Sequence, residues 1–204
     1  LFFFFSSNLF SQTNYSEFIK LKRLFIEEKY SIISAYDHQI DKKNEFYPYA
    51  VFYKGVSEYK LSSYDKSENY LEEIIALYPN WSQIDEVYYW QIKVDLKTNN
   101  FDNALLNFSV LNNSEIKEIL YPDIDPFLEN ISSSKLYDYY ELYPQNKSVA
   151  KYYGRFLLKE YLDSNVIEEI NKILKIVEAE DLFISKKSNF KIAVLLPFMF
   201  EGIE

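Results

Sequence analysis

The chain has no cysteine, one histidine, one methionine, three glycines and six prolines in 204 residues. Without a thiol there is no disulfide framework, no thiolate metal site and no cysteine nucleophile. Scarce glycine and proline argue against turn-rich β sandwiches and barrels and favour long helices. A formal net charge of −9 repels phosphate backbones and excludes a general nucleic-acid binder. What the chain does have is apolar surface to bury. The hydrophobic fraction of 48% is too high for a disordered segment, and 20 Tyr and 17 Phe supply large rings. Asn, Lys and Ile are also frequent. An A/T-rich coding sequence produces the same mix, so the aromatic excess is not by itself a carbohydrate-binding signature.

No constellation for catalysis stands out. His38 lies in Ala35-Tyr-Asp-His-Gln-Ile40 with no Ser, Cys or second His nearby, and is expected to be a surface histidine on a helix. Asp123 and Asp125 lie between Pro122 and Pro126. They lack the further oxygens and the glycine of an EF-hand loop, so they are expected to cap helices beside the prolines. Glu72-Glu73 and Glu168-Glu169 read as solvated helix faces. The expectation is a non-enzymatic protein with no cofactor and no metal.

Between residues 15 and 180 the apolar spacing is helical and comes in pairs. The clearest unit runs from Pro48 to Asn80: one apolar helix, a break at Ser62-Ser63, then a second helix from Tyr64 ending at Pro79. The next unit has a first helix at Tyr88 to Lys97, a turn at Thr98-Asn-Asn100 and a second helix from Phe101 to Leu111. A third match is Ala150-Lys-Tyr-Tyr-Gly-Arg-Phe-Leu157, with Val166 to Val177 as its partner helix. Ser16 to Ile40 forms a weaker pair, and Tyr30 stands 34 residues before Tyr64. In the stretch 112–146 the two prolines are expected to break the first helix, giving short helices and a longer loop.

These units resemble the tetratricopeptide repeat, a helix–turn–helix motif of about 34 residues. The resemblance places Gly55 and Gly154 where two helices approach closely, with Ile92 replacing the glycine in the middle unit. Ser67, Leu71 and Ile74 fall in its core slots. It implies an all-α solenoid of about five hairpins whose first helices line a concave groove. The groove positions it assigns are Tyr49, Phe52, Val56, Tyr59 and Lys60 in one unit. Glu86, Tyr89, Lys93, Leu96 and Lys97 follow in the next, and Ser148, Lys151, Arg155, Leu158 and Lys159 in the last. Lys93/Lys97 and Lys151/Arg155/Lys159 have i, i+4 spacing and share a helix face. An acidic chain is thus expected to carry a basic, partly aromatic groove suited to a peptide carboxylate, an acidic protein segment or an anionic cell-wall polymer.

The two ends read differently. Residues 1–12, Leu-Phe-Phe-Phe-Phe-Ser-Ser-Asn-Leu-Phe-Ser-Gln, are an apolar block followed by small and polar residues. The block is too short to span a membrane and reads as the remnant of a secretory signal peptide cleaved near Ser11 or Gln12. Residues 13–180 would then form an exported helical-repeat domain, periplasmic or outer-membrane-associated, and 181–189 a polar linker. Residues 190–204 open with Phe-Lys-Ile-Ala-Val-Leu-Leu-Pro-Phe198, a continuous apolar run with a proline stop, as in the buried first strand of a parallel α/β domain. That run resembles the start of a type 1 periplasmic-binding-protein domain. Repeats ahead of such a domain resemble the penicillin-binding-protein activators and the repeat-fused substrate-binding proteins of transporters. The resemblance implies a chain incomplete at both ends: an envelope scaffold with a protein or peptide partner, positioning a downstream domain that holds any small-molecule ligand. The alternative it implies is a solute-binding component of an ABC-type transport system for an amino-acid-like ligand. The residues Met199-Phe-Glu-Gly-Ile203 depart from the family's ligand loop, so no ligand contacts carry over.

Overall fold

The computed structural model describes residues 4–160, 164–178 and 182. They form ten helices: α1 (Phe4–Ile26), α2 (Tyr30–Ala35), α3 (Tyr47–Lys60), α4 (Tyr64–Leu77), α5 (Ile84–Lys97), α6 (Phe101–Val110), α7 (Ser114–Leu128), α8 (Ser133–Leu142), α9 (Lys147–Glu160) and α10 (Ser164–Ile173). No strand occurs among the described residues, and the expected strand at 192–196 lies outside them. The boundary expected at Gln12 falls inside α1.

Four adjacent pairs close as hairpins, α1/α2, α3/α4, α5/α6 and α9/α10, with α7 and α8 between the last two, and the units stack in sequence. α2 packs on α3, α4 on α5 and α8 on α9, while the first helices run side by side in the order α1, α3, α5, α7, α9. This is a tetratricopeptide-like solenoid. One device sets its repeat. The turns after α1, α3 and α5 each place one residue in the left-handed region: Glu28 (φ 55°), Ser62 (φ 62°) and Asn99 (φ 59°). In each turn the next N–H reaches back along the chain, from Lys29 to the Leu24 carbonyl, Ser63 to Glu58 and Asn100 to Asp95, at 2.8–2.9 Å. These are Schellman caps, and an aromatic residue (Tyr30, Tyr64, Phe101) opens the following helix each time. A glycine would adopt the cap conformation without the Cβ penalty. Replacing Glu28 by Gly is therefore expected to raise stability by about 0.5–1 kcal/mol, readable as a higher midpoint in urea.

Helix α7 overturns the expectation of a broken 112–146 region. It runs unbroken for 15 residues with Pro122 and Pro126 inside it. Leu120, Ile124 and Leu128, spaced at i, i+4, i+8, are buried, whereas both prolines are exposed. The hydrogen bonds the prolines delete lie on the solvent side, where water replaces them, and the apolar stripe holds the helix in place. The N-cap of α7 is Asn113, whose side chain accepts from the Glu115 and Ile116 N–H groups.

Two clusters make up the core, with α5 contributing to both: a first around Leu21, Ile33, Val51, Leu71 and Ile74, a second around Ile92, Leu105, Leu120, Ile124 and Ile173. The abundant Tyr explains itself here. Tyr53, Tyr64, Tyr70, Tyr88, Trp90 and Phe108 all pack against these clusters. Buried phenols also clasp carboxylates on other elements: Tyr47 donates to Glu73 at 2.8 Å, Tyr139 to Asp102 at 2.6 Å and Tyr140 to Glu169 at 2.8 Å. Burial first, and then the facing carboxylate, pushes the Tyr47 phenol up to about 12. So Glu73 and Glu169 are not merely solvated, and each ties two helices together.

Candidate functional site: the face of the first helices

The first helices bring the groove residues together in two groups. In the first, on α3 and α5, the rings of Tyr59 and Tyr89 stand 5.1 and 5.2 Å from that of Trp90, and the Lys60 ammonium lies 5.2 Å above Trp90. Tyr49 meets Trp81 edge-on at 4.9 Å. Phe52 sits deeper than expected. It is buried, with its ring 5.9 Å from Trp81, and belongs to the core rather than to a binding surface. Lys97 is exposed at the end of α5.

In the second group the basic stripe does not stand bare. Lys93 on α5 pairs with Asp123 on α7 at 2.7 Å, and Lys151 on α9 pairs with Asp125 on α7. Ser148 also donates to Asp125, at 2.5 Å. These lysine side chains retain only 20% and 15% of their exposure. Burial opposes the Lys93 charge, but the Asp123 carboxylate outweighs it and holds the ammonium above the ordinary lysine range. The Arg155 guanidinium lies 5.0 Å above the Tyr152 ring, and Lys159 is exposed. The aspartates are thus neither caps nor a cation loop. Being two residues apart in a helix, they point to opposite flanks of α7, one toward α5 and one toward α9. Sequence reasoning missed this because it took the prolines to break the helix and made the aspartates caps beside them. The i, i+4, i+8 apolar spacing of Leu120, Ile124 and Leu128 was the signal that they sit in a helix.

A cleft of about 280 Å³ lies between α7 and α9 beside Lys147 and Lys151, and two more, of about 220 and 540 Å³, flank the turn at 143–146. The one of about 220 Å³ is floored by Leu105, Phe108, Tyr121 and Pro144. His38 is not on a helix. It lies half-buried in the segment after α2, 5.6 Å from the Tyr47 ring, and its Nδ1 accepts from the Ile40 N–H. Burial, then Lys54, lowers its pKa. Among the described residues no group of three or more His, Asp or Glu side chains could hold a metal ion, and no helix is long and apolar enough to cross a membrane.

No protein-family model matches the sequence, and no curated protein matches it. Among solved structures the chain is similar to one described as "MamA RS-1 ArsTM double mutant", at 16% identity and a TM-score of 0.35, covering 83% of this chain and 93% of that one. A likeness at that level assigns neither family nor function, and the repeat character of this chain rests on its own helices and caps.

Proposed function

We propose that this chain is a non-enzymatic protein-interaction scaffold that holds a partner protein segment against the side-by-side faces of α3, α5, α7 and α9. The observation that carries the reading is the Tyr59–Trp90–Tyr89 cluster with Lys60. It gathers half-exposed rings and a cation from two separate hairpins into one strip, a surface only the stacked solenoid creates. Tyr and Trp are the side chains that give contact surfaces most of their binding energy. The apolar block at residues 1–12 supports placement outside the cytoplasm, in a bacterial envelope, and the Phe190–Phe198 run supports a downstream ligand-binding domain that the scaffold positions.

A peptide library selected on the immobilised chain tests the reading. Selected peptides are expected to lose affinity by about tenfold or more on Tyr89→Glu and to be indifferent to Glu72→Lys on the outer face of α4. Peptides indifferent to Tyr89→Glu would overturn it.

A further inference from the structure

The outward side of α7 differs from its neighbours in what it offers a ligand. Proline at 122 removes the N–H that would bond the Glu118 carbonyl, and proline at 126 removes the N–H for the carbonyl of Pro122. Two backbone acceptors on one side of the helix therefore lack their intrahelical donors. The prolines crowd these carbonyls outward, as at other proline sites in helices. The side that carries them is exposed: Glu115, Pro122, Pro126 and Glu129 face solvent, and Ile119 keeps 60% of its surface. One basic residue reaches its edge from α9: Lys147 pairs with the exposed Glu118 carboxylate, and Glu115 and Glu129 keep the rest of this side acidic. Lys117 is turned inward, its ammonium 5.8 Å above the Phe108 ring. Lys93 of α5 and Lys151 of α9 are likewise already paired, with Asp123 and Asp125 along the flanks.

The spacing matches a particular occupant. Carbonyls four residues apart in a helix lie about 6 Å apart along its axis. In an extended chain the N–H groups on one edge recur every two residues, at about 6.7 Å. We propose that α7 docks an extended, lysine- or arginine-containing segment of a partner. Alternate N–H groups of that segment bond the Glu118 and Pro122 carbonyls, an apolar side chain rests on Ile119 and Pro126, and the cations face Glu115 and Glu129. This rests on the scaffold reading and specifies its partner: a cationic extended segment, not the acidic one that the lysine spacing suggests.

The probes are two fluorescein-labelled peptides of equal length, one alternating Ala and Arg, the other Ala and Glu, titrated by anisotropy. The Ala-Arg peptide is expected to bind at least about tenfold more tightly and to weaken with salt. The double variant Pro122→Ala, Pro126→Ala restores the helix bonds, so it should melt higher than the parent yet bind the Ala-Arg peptide about fivefold or more weakly. Glu115→Gln with Glu129→Gln should flatten the salt dependence. Unchanged affinity in the proline double variant, or preference for the Ala-Glu peptide, would overturn the inference. If library-selected peptides prove acidic but still depend on Tyr89, this inference falls and the scaffold stands. If none depends on Tyr89, the scaffold reading falls with it.

Discussion

The substitution Asp95→Asn is expected to stabilise the protein at pH 7, by as much as about 3 kcal/mol. Asp95, on α5, is 0% exposed. Its hydrogen-bond partners are two neutral amides, Asn107 at 2.8 Å and Gln91 at 3.4 Å. Burial is the main cause that raises its carboxyl to about 6. The two amide hydrogen bonds pull the other way, and Glu68 and Glu72 on α4 add to the rise. The sign follows. Because the folded pKa lies above the unfolded one, the folded state holds the proton more tightly. This group therefore contributes stability below about pH 4, loses it as pH rises toward 6, and contributes nothing further above. Asp95→Asn would keep the side chain's shape and the bond from Asn107. The Gln91 amide oxygen, buried without a partner, could turn to accept from the new Nδ2. Urea unfolding of both forms from pH 4 to 8 checks this. The two curves should meet near pH 4 and separate up to pH 6. Parallel curves would mean that Asp95 is ionised at little cost.

The second large effect concerns the close approach of α3 and α4. Leu71 is fully buried, and a Cβ added at Gly55 would lie 3.1 Å from its Cδ2 and 3.3 Å from the Tyr70 Cβ. Leu71→Ala is expected to cost about 3 kcal/mol, through lost burial and the cavity left behind. Gly55→Ala has two opposed parts. It gains about 1 kcal/mol of helix propensity and loses about as much or more through crowding, so alone it is neutral or destabilising. In the Leu71→Ala background the crowding against Leu71 is gone, the contact with the Tyr70 Cβ remains, and the new methyl fills part of the cavity, so Gly55→Ala should stabilise by up to about 1 kcal/mol. A double-mutant cycle in urea reads the coupling. Additive effects would show that the glycine is not there for helix approach.

Gly154 plays the same part at the other end of the solenoid, where an added Cβ would meet Leu182 at 2.8 Å and Ile173 at 3.2 Å. Its role was legible because a glycine in the middle of an amphipathic helix needs a packing reason. Ile92 takes the equivalent place in the middle unit and is fully buried. The slot is therefore not glycine by rule; the distance between the two helices of each hairpin decides it.

What the sequence determined by itself was local and periodic: the helical character of the described residues, the hairpins of the clearest units, the turns at 62–63 and 98–100, and the rings as packing. Helical spacing, scarce glycine and the recurrence of an aromatic helix opener at Tyr30, Tyr64 and Phe101 are legible along the chain, and the local preferences behind them act before any tertiary contact forms. Tertiary structure decided the rest. Proline is a breaker only when the helix has no other support, and the buried stripe of Leu120, Ile124 and Leu128 supplies that support to α7. A lysine row is a basic groove only when nothing answers it, and Asp123 and Asp125 answer it from 30 and 26 residues away in the chain. The same holds for Asp95, whose proton affinity depends on what α4 and α6 bring to it. Charge, desolvation and the supply of hydrogen-bond donors are set by neighbours in space, and a periodic pattern along the chain does not contain them.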